Sequence, residues 1–217
     1  MSVLSSTVAL VALGVEAVAL CLLLVAERGE SAALKAISKT TASAAFCVVG
    51  FVGPLLALRP AIGVGLVLAA VGDLLLLRRG AGGAFLAGLG SFLAAHVAYT
   101  VGFARAGLDM TWVAGTGGAL LVPAAIVLRW LWPNLSSRMR GPVVAYVIAI
   151  SAMVACAAGS WARGATPLVL AGAVLFYLSD LFVARQRFVR GGYINRLIGL
   201  PLYYLAQALL AAWLHQA

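Results

Sequence analysis

Charge is scarce in this chain. Asp, Glu, Lys and Arg make up 10% of its 217 residues, 64% are hydrophobic, and the mean hydropathy is +1.09. That composition excludes a water-soluble domain and leaves no room for one beside the apolar runs, whose length of roughly twenty residues predicts membrane-spanning helices. Histidine is scarcer still, with His96 and His215 the only two and His215 almost at the terminus. A catalytic zinc ion takes three protein ligands, histidines foremost, so zinc hydrolysis is disfavoured. The three cysteines, Cys21, Cys47 and Cys156, are scattered in apolar runs and give neither a disulfide framework nor a metal-binding spacing. The Gly-x-Ser-x-Gly elbow of serine hydrolases and the P-loop are both missing. The net charge of +9 does not imply a nucleic-acid partner, because the basic residues fall in short loops between apolar runs, where they report membrane orientation.

What is present predicts an all-α integral membrane protein, a single domain over residues 1–217 built as a bundle of eight transmembrane helices. The spans are expected at about 4–25, 36–57, 61–77, 83–104, 111–131, 142–160, 165–184 and 196–214. Arg59-Pro60, Gly80 to Gly83, Trp132-Pro133-Asn134, Gly141-Pro142 and Gly191-Gly192 punctuate them. The first run carries Glu16 and has no basic residue before it, which favours a retained helix over a cleaved signal. Of the fifteen basic residues, twelve follow spans 1, 3, 5 and 7 or enter the next span, whereas Arg59, Arg105 and Arg163 lie on the other side. This bias places the odd-numbered loops in the cytoplasm and both termini away from it. Gly72-Asp73-Leu74 in span 3 and Ser179-Asp180-Leu181 in span 7, each followed by a glycine pair, suggest an internal repeat of four helices plus four.

Asp73 and Asp180 are the most informative residues. Each is embedded in a leucine-rich helix five residues before an arginine, Arg78 or Arg185, so each lies roughly 7 Å inside the membrane surface that the arginine marks. A carboxylate there is costly and is a functional-site candidate by default. Lys39 enters span 2 at a similar level, and Glu16 is as deep in span 1. Tyr203, Tyr204 and Gln207 lie further in on span 8, and His96 and Tyr99 further across on span 4. Pairing with an arginine or Lys39, snorkelling of Lys39 and plain aromatic packing are the structural alternatives for these side chains. Two acids sharing an apolar site push their proton affinities apart, so one donates a proton while the other stays ionised. That suits hydrolysis through an oxocarbenium ion, and it equally suits a proton-coupled lipid or solute transporter. A non-catalytic lipid-binding scaffold is a third possibility.

Five segments read in order give the chain a closer likeness: Lys39-Thr40-Thr41, Gly72-Asp73-Leu74-Leu75, His96-Val97-Ala98-Tyr99, Ser179-Asp180 and Tyr204-Leu205-Ala206-Gln207. Together they resemble the bacterial YhhN-like membrane proteins, which include the lysoplasmalogenases. The resemblance implies an eight-span protein of the bacterial inner membrane. It implies cleavage of the vinyl ether bond of a lysoplasmalogen to a fatty aldehyde and glycerophosphoethanolamine or glycerophosphocholine. The family's proposed catalytic aspartates match Asp73 and Asp180. On that reading Asp180 donates the proton and Asp73 serves as base. His96, Tyr99, Tyr204 and Gln207 position water or the ether oxygen, with Glu16 as a further lining residue, while Lys39 and nearby loop arginines hold the phosphate. The partners are the lysophospholipid substrate and membrane lipids, and no metal or organic cofactor is required.

Overall fold

A computed structural model of the chain describes residues 3–77 and 82–216. Among these residues stand eight α-helices and no strand: α1 (Val3–Arg28), α2 (Ala32–Phe51), α3 (Pro60–Leu76), α4 (Gly82–Ala106), α5 (Met110–Leu131), α6 (Ser137–Ala162), α7 (Pro167–Ala184) and α8 (Tyr193–Ala212). Seven are long and apolar enough to cross a membrane, and α3, with 17 residues, is the shorter apolar one. Arg78, Arg79, Gly80 and Ala81, expected as the loop after the third span, lie outside the described residues.

Local chemistry sets most of the helix ends. Pro60 and Pro167 occupy the first helical turn of α3 and α7, where a missing N–H costs nothing. Asp109 caps α5, its Oδ1 accepting from the backbone of Thr111 and Trp112 at 2.9 and 3.2 Å. The turns before α5 and α7 pass through Gly107 (φ 102°) and Gly164 (φ 105°), a left-handed backbone that favours glycine. Two expected boundaries move by five residues or more. α2 stops at Phe51 rather than near 57, because Pro54 disfavours helix at the residue before it and the chain breaks into turns at Gly53-Pro54. α6 starts at Ser137, five residues before the expected start at Pro142, and carries that proline inside it. A π-turn, Arg185–Val189, extends α7 and was not expected from the sequence.

Consecutive helices run antiparallel, as contacts at the two ends of the bundle show. Glu27 at the end of α1 meets Arg196 at the start of α8. At the opposite end Arg59 donates through Nη1 to the carbonyls of Trp213 and Gln216 at 2.6 and 2.9 Å and lies over the Trp213 ring, closing the end of α8. α8 is central, touching α1, α2, α3 and α7, whereas α5 leans chiefly on α6 and buries Leu131 alone. The α3–α4 contact is the closest. It depends on glycines facing large side chains: Gly65 against Tyr99, Gly72 against Phe92 and Gly102 against Ile62.

A Cβ on Gly65 would lie 2.4–2.8 Å from ring carbons of the fully buried Tyr99. Gly65→Ala is therefore expected to destabilise the protein by about 1–3 kcal/mol, the usual range for overpacking. Gly118→Ala on α5, where nothing lies within 4 Å, is expected to be neutral. Thermal unfolding of both variants in detergent checks the pair.

Candidate active site

Asp73 is buried on α3 and is the acceptor of three donors. Lys39 Nζ lies 2.9 Å from Oδ1, the Ser43 hydroxyl donates to Oδ2 at 2.6 Å, and the Tyr203 hydroxyl donates to Oδ2 at 2.8 Å. Lys39 and Ser43 are four residues apart on α2 and so present to the same face. Tyr203 comes from α8, which makes Asp73 the point where three helices meet. A carboxyl group that accepts from an ammonium and two hydroxyls has the hydrogen-bonding pattern of the ionised form.

Asp180 on α7 has a different setting. The Tyr146 hydroxyl from α6 donates to Oδ2 at 2.7 Å, and His96 Nε2 from α4 lies 3.4 Å from the same oxygen. The His96 ring is fully buried and its Nδ1 is 2.5 Å from the Phe92 carbonyl. A carbonyl oxygen cannot donate, so elimination assigns the Nδ1 hydrogen to that bond. Nε2 then faces Asp180 with no well-formed hydrogen bond to any described group. Asp73 therefore sits beside a lysine nitrogen, while Asp180 sits beside an imidazole nitrogen.

Both carboxylates line one cavity whose walls are mainly apolar, formed by Leu76 of α3, Phe85, Leu89 and Phe92 of α4, Val127 of α5, Val143, Val147 and Ile150 of α6, and Leu181 and Phe182 of α7. Rings packed tilted or edge to face lie between the two acid clusters. Phe176 is 4.5 Å from the His96 ring centroid and 5.5 Å from that of Tyr203, and Phe92 is 5.8 Å from Tyr203. Beyond the acids, Lys39, Tyr146, Tyr177, Ser179 and Tyr203 add polar groups to the lining, and Gln186, Asn195 and Arg196 meet at the end nearest the odd-numbered loops. No group of three or more His, Cys, Asp or Glu among the described residues is placed to hold a metal ion.

Of the residues singled out from the sequence, the structure brings Asp73, Lys39 and Asp180 to the cavity and His96 to Asp180. Lys39 is committed to Asp73. Tyr99 and Gln207 are both buried and bond to each other, the hydroxyl donating to Oε1 at 2.6 Å, behind the cavity wall. Tyr204 faces the Lys39 carbonyl at 3.5 Å and so supports the helix that carries the lysine. Glu16 is buried on α1 with neither oxygen hydrogen-bonded to a described group, and it does not line the cavity. Ser43 and Tyr146 were not expected. Ser43 was findable from its spacing one helical turn after Lys39. Tyr146, the one tyrosine of an apolar helix, carried no pattern that pointed to Asp180.

Comparison with known proteins agrees with this architecture. The sequence model of the YhhN family matches residues 32–214, from the start of α2 to the end of the bundle. A lysoplasmalogenase of Mycobacterium bovis is 34% identical over 143 residues, which is 64% of this chain and 53% of that protein. One of Mycobacterium tuberculosis gives the same values. The lysoplasmalogenase TMEM86A of Bos taurus is 30% identical over 157 residues, 68% of this chain and 62% of that protein. The chain thus matches a little over half the length of these relatives. No solved structure matches.

The ion pair yields a stability prediction. Lys39→Met leaves Asp73 buried without its cation and is expected to cost about 3–5 kcal/mol. Adding Asp73→Asn to that variant is expected to recover most of the loss. A double-mutant cycle by thermal or denaturant unfolding in detergent reads the coupling.

Proposed function

The chain belongs to the YhhN family, and from that membership and its acid pair we propose that it is a lysoplasmalogenase-like hydrolase of the vinyl ether bond. The observation that carries the reading is the contrast between two carboxyl groups on one apolar cavity, one held by an ammonium and two hydroxyls, the other set against a histidine. The names of the relatives support the substrate class.

In this mechanism the lipid's alkenyl chain lies along the apolar walls. Asp180 delivers a proton to the vinyl carbon remote from the ether oxygen. The double bond supplies the electron pair for the new C–H bond, and the adjacent carbon and oxygen become an oxocarbenium ion. Asp73, paired with Lys39, stabilises that cation and takes a proton from the water that attacks it. The hemiacetal then collapses: Asp73 passes its proton to the glycerol oxygen as the C–O bond to glycerol breaks, the hemiacetal hydroxyl gives up its proton to His96 Nε2, and a fatty aldehyde leaves with the glycerophospho-alcohol. His96 hands that proton to Asp180 for the next turnover. The residues named here suffice for each step, with water as the second substrate. The excess of basic residues in the odd-numbered loops supports an orientation in which the polar end of the cavity faces the cytoplasm.

The test is aldehyde release by purified protein in detergent from vinyl ether lysophospholipids, with an acyl lysophospholipid as control. Folded Asp73→Asn and Asp180→Asn variants are each expected to lose at least about 10²-fold in rate, the scale of general acid–base catalysis. Full activity in both would sink the mechanism. No aldehyde from folded wild-type protein, with flux appearing only in sealed liposomes, would favour a carrier.

A further inference from the structure

Only two cations line the cavity among the described residues, Lys39 and Arg196. Lys39 is paired at 2.9 Å with Asp73, and withdrawing it would strip a buried carboxylate of its partner. Arg196 is less committed. Its Nε lies 3.9 Å from Glu27 Oε2, an oxygen already engaged by Lys35 at 2.7 Å. The terminal nitrogens of its guanidinium have no described acceptor, and its side chain is 36% exposed. Two neighbouring arginines are occupied: Arg185 donates to Asn195 Oδ1 at 2.5 Å, and Arg187 lies over the Phe85 ring at 4.3 Å.

A hydrogen-bonded frame holds the neighbourhood of Arg196 still. Asn195 is buried and donates through Nδ2 to Gln186 Oε1 and to the Arg190 carbonyl, both at 2.8 Å. Gln186 Oε1 also accepts from the Gly192 backbone at 2.9 Å. The Gln186 oxygen is thereby fixed on the α8 side, which leaves its amide nitrogen as a donor in a residue that lines the cavity. The π-turn and the first turn of α8 thus form one unit carrying a guanidinium fork and an amide donor.

We infer that this unit, with Arg196 as its principal contact, binds the phosphodiester of the lysophospholipid headgroup and so sets the depth of the scissile bond. The inference rests on the hydrolase reading for its substrate. A guanidinium fork matches two phosphate oxygens. The spacing also fits. Arg196 precedes Tyr203, the Asp73 partner, by seven residues, or roughly 10 Å along α8. From the phosphorus to the ether oxygen on the first glycerol carbon are five single bonds, roughly 6 Å in extended form, and the reach of the arginine side chain covers the remainder. A phosphate held at Arg196 therefore places the vinyl ether at the level of the acids and the hydrocarbon beyond them, among the apolar walls.

The test uses the full-length protein in detergent and an uncleavable ligand, a saturated 1-O-alkyl lysophosphatidylethanolamine, beside the 1-O-alkylglycerol that lacks the phosphate and inorganic phosphate alone. Arg196→Gln is expected to raise the Kd of the lysophospholipid about ten- to a hundredfold, the scale of a charge-assisted hydrogen-bonding contact. It is expected to leave the alkylglycerol unchanged, and Arg196→Lys is expected to recover part of the loss. Arg138→Gln, exposed and outside the cavity lining, is expected to have no effect. An equal loss for both ether ligands, or no loss for either, overturns the assignment. Inorganic phosphate binding as tightly as the lysophospholipid would also overturn it, by marking a site for free anions. In turnover, Arg196→Gln is expected to raise KM with kcat largely kept. Arg196-dependent lipid binding in a wild-type protein that releases no aldehyde would leave this site standing while the hydrolase reading falls.

Discussion

The Lys39–Asp73 ion pair is the interaction on which the rest of the site depends. An isolated charge of either sign would be costly at this depth, and each makes the other tolerable. Pairing alone leaves carboxylate lone pairs unfilled, and the hydroxyls of Ser43 and Tyr203 fill two of them. The result ties α2, α3 and α8 together at one atom group. Because α8 also contacts α1 and α7, a single polar cluster fixes the register of the helices that carry both acids. The glycine-mediated approach of α3 to α4 completes this, since Gly72, next to Asp73, admits the Phe92 ring, and the Phe92 carbonyl holds His96.

The two acids thus differ in kind. Asp73 is surrounded by donors from a cation and two hydroxyls, whereas Asp180 has one tyrosine hydroxyl and a histidine whose free nitrogen points at it. Aromatic rings, Phe92 and Phe176, stand between the two groups. They keep the carboxylates in separate surroundings while both reach the same cavity. Division of labour between two chemically identical side chains needs this sort of asymmetry, and the packing of four aromatic rings supplies it.

Much of this was legible in the sequence because membrane helices are written in one dimension. Long apolar runs, proline and glycine breaks and basic flanks gave eight spans, with α2 and α6 shifted at one end by Gly53-Pro54 and Pro142. Asp73 and Asp180 stood out because a carboxylate in a leucine-rich helix is costly unless something pairs with it. Which side chains face each other was not legible. His96 and Tyr99 are three residues apart on α4, yet one meets Asp180 and the other meets Gln207. Depth along a helix can be counted from a sequence, but rotation about its axis depends on neighbours that only the packed bundle provides. Lys39 shows the same limit: its position allowed either a phosphate or an aspartate as its partner, and its direction is toward Asp73.

The position of the ion pair along the chain bears on how the protein enters the bilayer. Lys39 and Asp73 lie on α2 and α3, neighbours joined by a short turn at the far end of the hairpin. The lysine is made first, so its counter-charge follows within the next helix, and the two segments together carry no net charge at that level. A hairpin that enters as a unit presents the membrane with a neutral pair in place of two ions. The third helix, the shortest and the acid-bearing half of this hairpin, thereby acquires from its predecessor the partner that makes a membrane location tolerable before any later helix arrives.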